Sequence, residues 1–433
     1  MSSKEKIVLI GAGSLQFGLG AVGSILKSKV LKGCEIWLHD ISKESLDLVY
    51  RASNLAIEKK NLDFTLKSTL NREEALDNAT FVINSIEVTP RFELMEQDIE
   101  IPRKIGNRQV LGENGGPGGL FHSLRVIPPI LEICEDINKI CPDALLINFS
   151  NPMSRICLAI KRRFPKIKFV GLCHELEHHV LILSRILDTP LSNLEFKAGG
   201  LNHFGVFLEV NYKDTGKDAY PDVRKNGLEY LRNLKTLDGH NIMDYILDKY
   251  GYLPYTTDSH YGEYLQWAWE IADKEGIKRF IDTYKQSLSI DNDKLIKAIK
   301  DGKGARYVRP DGERAIPIIE GIVSDSNHHE ASVNLPNDDV ITNIPRDLIV
   351  ECPAIINKDG LHAVKLGEYP KGLAGLLRNQ ASVQDLVVEA VFTNSKEIAL
   401  QALLVDPVVD STTQAEKMID KMLRVQAKHI KLE

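Results

Sequence analysis

The feature that most constrains this fold is a regular alternation of short apolar runs with helix-like segments over the first 170 residues. Strands are predicted at 7–10, 35–40, 64–66, 81–85, 144–148 and 167–172. Helical periodicity is found between them, at 17–26, 45–57, 124–140 and 153–164. Strands that alternate with helices usually pair in parallel, with the helices on both faces of the sheet. The pattern therefore predicts an α/β fold built on a doubly wound parallel sheet.

The alternation ends near residue 195. Two strand-like runs between 194 and 210 are expected to be separated by Gly199-Gly200, and residues 225–300 read as helices. Short strands are predicted within 305–350, and helices at 372–404 and 412–430. We therefore predict a Rossmann-like domain at 1–195 and an α+β domain at 196–433.

A glycine turn follows the first predicted strand. Gly11-Ala12-Gly13-Ser14 leads into the first helix, and a turn of this kind lets the backbone and the helix N-terminus approach a pyrophosphate. Gln16 occupies the third position of the usual G-x-G-x-x-G pattern, so Gly18 is the expected substitute. The turn predicts a dinucleotide site with Gly11, Gly13 and Ser14 as contacts.

The second strand ends in Asp40, 27 residues after Gly13. A carboxylate there can bind the adenosine ribose, and it disfavours a 2′-phosphate. This predicts NAD rather than NADP. The alternative is that Asp40 only caps the helix beginning near Ser42.

Polar residues also end the fourth and fifth strands. Ser85 and Asn148 are candidate cofactor contacts, and Asn151 is a candidate sugar contact. Turn and N-cap chemistry before Pro152 is the alternative for Asn151. The glycine-rich stretch 113–119 is expected to be a flexible loop before a long helix.

Cys173 and His203 are the candidate metal ligands. Cys173 follows the sixth predicted strand, and His203 lies in the next apolar segment, 30 residues later. A thiolate and an imidazole can hold a soft or borderline divalent metal. A buried free thiol and a hydrogen-bonded histidine are the alternative.

The stretch 257–264 combines acid, imidazole and phenol groups within eight residues, which suggests a substrate face, although solvated loops can look alike. The net charge of −6 gives no basic footprint for nucleic acid. No apolar run approaches the length of a membrane span. Six cysteines without framework spacing favour a reducing cytoplasm.

Several stretches, taken in order, resemble the NAD- and manganese-dependent glycoside hydrolases of family 4. They are 11–14, 148–152, 171–175, 202–204, the Asp-x-His-x-x-Glu-Tyr pattern at 258–264, 333–337, 350–353 and 406–407. The resemblance covers nearly the whole chain. It implies a Rossmann-like domain and a second domain related to lactate and malate dehydrogenases, in a homodimer or homotetramer.

The resemblance also implies a reaction. Sugar C3 is oxidised with NAD, a proton leaves C2, the aglycone departs from C1, water adds, and C3 is reduced again. A divalent ion, Mn²⁺ or a similar one, held by Cys173 and His203, stabilises the developing charge. NAD dependence sets such enzymes apart from the two-carboxylate glycosidases.

Catalytic roles follow from the same resemblance. Asp258 matches the position of the proposed base at C2, and Tyr261 or Tyr264 is the substitute. His174, which titrates near neutrality, is the expected acid for the leaving oxygen. It is also expected to contact the substrate, as is His260.

The Cys-His-Glu sequence at 173–175 resembles the branch that acts on unphosphorylated α-glycosides. That branch includes α-galacturonidases and, less closely, α-glucosidases and α-galactosidases; phosphosugar members carry Cys-Asp or Cys-Asn. Arg91 and Arg309 are candidates to pair with a sugar carboxylate, and Arg309 is our predicted contact. Surface placement is the alternative for both arginines.

Three other functions stay open at this point. They are a 6-phospho-glycosidase of the same family, a simple NAD-dependent dehydrogenase and a non-catalytic NAD-binding protein.

Overall fold

The strands of the computed structural model, which describes residues 5–236 and 238–433, form one mixed sheet. They are β1 (Lys6–Ile10), β2 (Glu35–His39), β3 (Thr65–Thr69), β4 (Phe81–Asn84), β5 (Leu145–Asn148), β6 (Lys168–Gly171), β7 (Leu194–Leu201), β8 (Phe204–Tyr212), β9 (His328–Pro336), β10 (Ile349–Asn357) and β11 (Gly360–Ala363). Their order is β3-β2-β1-β4-β5-β6-β9-β10-β7-β8, with β11 paired to β10.

Helices pack around this sheet. They are α1 (Phe17–Lys27), α2 (Lys43–Lys60), α3 (Arg72–Leu76), α4 (Arg91–Ile105), α5 (Gly116–Ile140), α6 (Met153–Arg163), α7 (Glu175–His179), α8 (Leu181–Ile186), α9 (Tyr220–Asn233), α10 (Asn241–Tyr250), α11 (Asp258–Gly262), α12 (Ala268–Ile271), α13 (Lys274–Lys300), α14 (Ala315–Ser324), α15 (Lys371–Thr393), α16 (Lys396–Val405) and α17 (Thr412–Val425). Over the described ranges, none of them is long and apolar enough to cross a membrane.

The first six strands are all parallel, in the order expected of a dinucleotide-binding fold. Every residue of β1 is buried, and its side chains serve two cores because successive residues point to opposite faces. Ile7 and Leu9 join the core on one face, whereas Val8 and Ile10 join the core on the other. The six predicted strands and the doubly wound sheet are confirmed.

The predicted start of the third helix, at 124–140, was wrong. We expected a loop up to residue 119 and a helix from 124, but α5 already begins at Gly116 and continues through Pro128 and Pro129. Pro117 lies in the first turn, where its missing N–H breaks no helical bond. The glycine-rich loop before α5 is therefore shorter than predicted, and its last residues are Asn114 and Gly115.

The predicted break between the next two strands was also wrong. Gly199 and Gly200 lie inside β7, and the turn of the β7–β8 hairpin is Asn202-His203. His203 has φ of +61°, in the left-handed region that residues with a Cβ rarely adopt. The hairpin therefore presents the imidazole at its tip.

The sheet continues past β6 through antiparallel strands. Two of these strand pairs are short: β6 pairs with β9 through Gly171 and Asn334, and β10 pairs with β7 through Glu351 and Gly200. Two strands separate β6 from β7 in the sheet, yet the hairpin tip reaches the carboxyl end of β6, where Cys173 follows. Ligand sites of open α/β sheets lie at this edge.

Candidate active site

Cys173 and His203 come together as the sequence predicted. The Cys173 Sγ lies 3.0 Å from the His203 Nε2. The other ring nitrogen of His203, Nδ1, lies 3.1 Å from the side-chain nitrogen of Asn114. His203 is only 3% exposed, so its ring is fixed by these two neighbours.

Burial controls the protonation of this pair. It raises the pKa of the Cys173 thiol, and the charges of Glu351 and Glu175 raise it further. Burial also lowers the pKa of His203, and the nearby His260 adds to that effect. Both groups are therefore neutral by themselves, and a bound cation would be needed to favour the thiolate.

A carboxylate-rich cluster borders the pair. Ligand atoms of Glu113, His260 and Glu263 all lie within 4.8 Å of one another, and the His260 ring centroid is 4.3 Å from that of His203. Burial lowers the pKa of His260, but the hydrogen bond with Glu263 and the charges of Glu175 and Glu113 raise it more, to about 10. His260 is accordingly a buried imidazolium.

Glu263 also shapes the loop before α5. Its Oε2 accepts the backbone N–H groups of Asn114 and Gly115, both at 2.5 Å, and its side chain is fully buried. Hydrogen bonds to a carboxylate are stronger than neutral ones. One carboxylate therefore fixes both His260 and the loop that carries Asn114.

His174 lies at the open side of the site. Its side chain is 48% exposed, and its Nδ1 is 3.3 Å from the Glu313 Oε1. That hydrogen bond raises the pKa of His174 although burial opposes it. The ring of His178 packs on His174, with centroids 4.5 Å apart.

Unpartnered polar atoms in and near this site are available to a ligand. Within the part of the chain that the structure describes, buried oxygens of Asn114, Asn151, Glu175 and Asn202 have no hydrogen-bond partner. Buried polar atoms are nearly always satisfied, so such a group calls for water, an ion or a ligand. A thiol, an imidazole and free oxygen acceptors form a donor set that fits a divalent transition metal.

The glycine turn also fits a dinucleotide. Gly11 has φ of +83°, and a Cβ there would lie 3.1 Å from backbone atoms of Ser85 and Ile86. Gly18 replaces the third glycine as predicted, since its Cβ would lie 2.2 Å from the Ala12 carbonyl oxygen. Ser14 is exposed beside the start of α1. The backbone is open to a pyrophosphate there, and the helix packs closely on the strand end.

Asp40 also holds the turn that precedes α2. Its Oδ2 accepts the N–H of Gly13 and its Oδ1 that of Ser42, each at 2.8 Å. The N-cap of α2 is Ser42, whose hydroxyl accepts the Ser45 N–H, so Asp40 does not cap the helix itself. A carboxylate has about four acceptor positions, which leaves capacity for ribose hydroxyls.

The other predicted cofactor contacts hold the strand ends together. Asn148 is fully buried; it accepts from Asn84 and donates to the Ser150 carbonyl. The Ser85 hydroxyl donates to the Ile10 carbonyl at 3.4 Å. These contacts fix the loops that would line a dinucleotide.

Three predicted site residues lie outside the cluster. Tyr261 is a core residue that packs edge-on against Phe204, 4.7 Å between centroids, and burial raises its pKa. Arg309 is exposed, and its backbone covers Gly23 on α1, where a Cβ would lie 2.3 Å away. The placement of Tyr261 differs from the sequence expectation, because a local pattern does not show which side chains packing removes from a cleft. For Arg309 the exposed position agrees with the alternative of surface placement, and its contact with a substrate stays a prediction.

Asp258 is also held away from the cluster. Its carboxylate is fully buried and accepts the N–H groups of Ile242 at 2.7 Å and Asp273 at 2.9 Å. Burial raises its pKa to about 6, although these amide hydrogen bonds lower it. In this conformation Asp258 joins the starts of α10 and α13.

Sequence reasoning assigned no individual role to several residues of the site. They are Glu113, Asn114, Glu175, Glu263, Glu313 and Glu351. Glu263 and Glu175 carried a local signal, since Glu263 lies three residues after His260, as helix neighbours do, and Glu175 lies two residues after Cys173. The others come from distant elements that only tertiary packing brings together.

A cavity of about 360 Å³ lies beside the cluster. Its lining includes His178, His179, Asp238 and Thr257, with Tyr230 and Phe280 among the aromatic residues. His179 lies 3.4 Å from Glu175, and Asp238 accepts from Ser259, next to His260. The cavity therefore adjoins the site and is large enough for part of a small organic substrate.

Comparison with known proteins gives one consistent result. The model described as "Family 4 glycosyl hydrolase" matches residues 6–188, and that described as "Family 4 glycosyl hydrolase C-terminal domain" matches residues 198–409. An α-glucosidase of Erwinia rhapontici is 42% identical, over 97% of this chain and 98% of the relative.

Solved structures agree in fold. The crystal structure of a 6-phospho-α-glucosidase from gut microorganisms, in complex with NAD and Mn²⁺, gives a TM-score of 0.83 over the full length of both chains at 21% identity. Malate dehydrogenase of Cryptosporidium parvum gives 0.51 over 90% of this chain and 99% of that one, at 17% identity. The Rossmann-like fold with a second unit, of the malate dehydrogenase type, is confirmed.

Proposed function

This chain belongs to family 4 of the glycosyl hydrolases, and on that premise we propose that it hydrolyses an unphosphorylated α-glycoside with NAD and a divalent metal ion such as Mn²⁺. The preferred substrate is an α-glucoside. Support comes from the similarity to an α-glucosidase over nearly the whole of both chains. The Cys173–His203 pair and the glycine turn supply residues for both cofactors.

The observation that carries the choice of sugar is the similarity to an α-glucosidase over 97% of this chain and 98% of the relative. Glu113, Glu175, Glu263 and Glu313 all lie in or beside the site, but protonated His174 and His260 and a bound divalent ion would offset their charges. The guanidinium of Arg91 is 3.8 Å from Glu113, so its charge is already balanced. The choice between a neutral and an anionic group on C6 therefore follows the relative. A neutral hexose is favoured over an α-galacturonide and a 6-phospho-sugar.

The chain's own residues have distinct tasks. When bound, NAD supplies the hydride acceptor for C3 and the metal ion supplies charge stabilisation beside it. His174 gives a proton to the leaving oxygen, since Glu313 favours its protonated form. The His260 imidazolium and the free Asn151 oxygen bind sugar hydroxyls.

Asp258 is our proposed base at C2. To reach a substrate, its carboxylate must release the amide of Ile242 or that of Asp273. A pKa of about 6 suits a general base that works near neutrality. Tyr264 is a weaker candidate, because its hydroxyl is buried and donates to the Asn202 carbonyl.

The domain division also stays a proposal, with a cofactor domain at 1–195 and a substrate domain at 196–433. We propose that the protein works in a reducing cytoplasm, since all six cysteines are free and Cys173 must stay reduced. A homodimer or homotetramer is supported by exposed apolar side chains on the last helices, among them Phe392, Leu404 and Val425. Sedimentation analysis tests the assembly.

The test of function is a panel of p-nitrophenyl α- and β-glucosides, galactosides and uronides, together with 6-phosphorylated glucosides. Each is assayed with NAD, Mn²⁺ and a thiol reductant. Preferential cleavage of the α-glucoside is expected. Preferential cleavage of a uronide or a phosphorylated sugar would contradict the proposed choice of sugar, and net release of NADH would indicate a dehydrogenase.

The mechanism is tested by turnover in D₂O. Removal of the C2 proton predicts deuterium at C2 of the released sugar, because the abstracted proton exchanges with solvent. A direct displacement at C1 leaves C2 unlabelled.

A further inference from the structure

Asn114 is the buried neighbour of the proposed metal ligand His203. Its side chain is 3% exposed, and its amide lies 3.1 Å from the His203 Nδ1. The amide nitrogen is placed toward the ring, and the amide oxygen is left buried without a partner. The two ends of an amide are interchangeable in shape, so hydrogen bonding decides its orientation.

Two arrangements of hydrogen atoms are compatible with these positions. If the Asn114 nitrogen donates to Nδ1, the ring hydrogen of neutral His203 is on Nε2, which faces Cys173. If the amide is turned by 180°, its oxygen accepts from an N–H at Nδ1, and the lone pair at Nε2 faces Cys173. The second arrangement also gives the unpartnered Asn114 oxygen a donor.

Only one of these two hydrogen arrangements is compatible with metal binding through the His203 Nε2. A histidine binds a metal through a nitrogen lone pair, and its other nitrogen then carries the hydrogen. Metal-bound histidines almost always donate that hydrogen to an oxygen acceptor, which fixes the tautomer and the ring orientation. Only the turned amide prepares Nε2 to join the Cys173 sulfur on one ion.

We propose that Asn114 is a positioning residue whose side-chain oxygen accepts the Nδ1 hydrogen of His203 and holds Nε2 ready for a divalent metal. The inference rests on the proposed function, because it assumes the Cys173–His203 metal site. The loop that carries Asn114 is anchored independently, since Glu263 accepts the backbone N–H groups of Asn114 and Gly115. The side-chain oxygen can therefore be removed while its backbone stays fixed.

The binding test compares Asn114→Leu with Asn114→Asp, which keeps an oxygen acceptor at the same place. Affinity for Mn²⁺ is measured in the presence of NAD from the EPR signal of free Mn²⁺. Loss of an outer partner of a metal ligand lowers metal affinity by about 10- to 100-fold. We expect that loss for Asn114→Leu and recovery to near the wild-type value for Asn114→Asp.

Gln109→Leu is the matched control. The Gln109 oxygen accepts the N–H of Gly118, in the first turn of α5, so this variant disturbs the same region. Unchanged Mn²⁺ affinity in Asn114→Leu, or an equal loss in Gln109→Leu, would overturn the proposal. A wild-type chain that binds no Mn²⁺, in agreement with Cys173→Ser, would instead refute the metal site itself.

A second measurement reads the tautomer in the wild-type protein itself, and a variant serves only to assign the signal. In wild-type protein labelled with ¹⁵N-histidine, the ring nitrogen shifts of His203 report its tautomer, with His203→Gln used for assignment. The proposal predicts a hydrogen on Nδ1 in the metal-free protein. A hydrogen on Nε2 would overturn it whatever the affinities show.

Discussion

Replacing Asp258 by asparagine separates a structural role from a catalytic one. The two carboxylate oxygens each accept one backbone N–H, from Ile242 and from Asp273, and the side chain is fully buried. An amide offers only one oxygen, so its NH₂ must face one of these donors. An unsatisfied buried donor costs about 1–3 kcal/mol.

The substitution also removes a buried negative charge, and this second effect stabilises the folded variant. A folded-state pKa of about 6 in place of 3.8 means that ionised Asp258 is destabilised by about 3 kcal/mol relative to the unfolded chain. The pKa of Asp258 is higher in the folded chain than in the unfolded chain. Protonated Asp258 therefore stabilises the fold fully below pH 3.8, and this contribution is lost as pH rises through 6. The Asp258→Asn variant lacks this dependence. Lowering the pH from 7 to 5 should therefore increase the stability of the wild type over the variant by about 1.4 kcal/mol.

The assay is urea denaturation of both proteins at pH 7 and pH 5, with turnover measured at pH 7. Loss of a general base predicts a turnover about 10²- to 10⁴-fold lower, with Mn²⁺ and NAD still bound. Asp273→Asn is the control, because the Asp273 side chain accepts the Gly276 N–H at the start of α13 and pairs with Arg279. It should lose stability and keep its turnover. A stability difference independent of pH would refute the raised pKa, and full turnover in Asp258→Asn would refute the base.

Three further predictions concern the cofactors and the packing around them. Asp40→Ala removes the acceptor for two backbone amides and the proposed ribose contact, so NAD affinity should fall at least about tenfold and discrimination against NADP should weaken. Fluorescence titration measures the affinity for each dinucleotide, and unchanged affinities would exclude the proposed NAD site at Asp40. Cys173→Ser should abolish the Mn²⁺-dependent activity. In the wild type, a chelator should abolish the activity reversibly under reducing conditions. A Cys173→Ser variant that is active without metal would exclude Cys173 as a metal ligand. Gly18→Ala places a Cβ 2.2 Å from the Ala12 carbonyl oxygen and should lower the free energy of unfolding by about 1–3 kcal/mol. A melting temperature equal to that of the wild type would show that α1 can shift freely.

The sequence by itself determined the cofactor half of the molecule. Buried parallel strands are continuous apolar runs, so β1, β2, β4 and β5 were each recognisable from about five residues. The turn at Gly11 and the close packing at Gly18 follow from local backbone geometry. Such features depend on neighbours in the chain, and single-residue patterns report them directly.

Tertiary structure alone decided the surroundings of the Cys173–His203 pair. The motif suggested Cys173 and His203, but the hairpin turn that brings them to 3.0 Å was predicted at the wrong place. Asp258 and Tyr261 share one motif with His260, yet packing directs Asp258 to helix starts and Tyr261 into the core. His260 lies two residues from Asp258 and one from Tyr261, and side chains so spaced on a helix point in different directions. Which direction meets the cleft depends on elements more than 100 residues away.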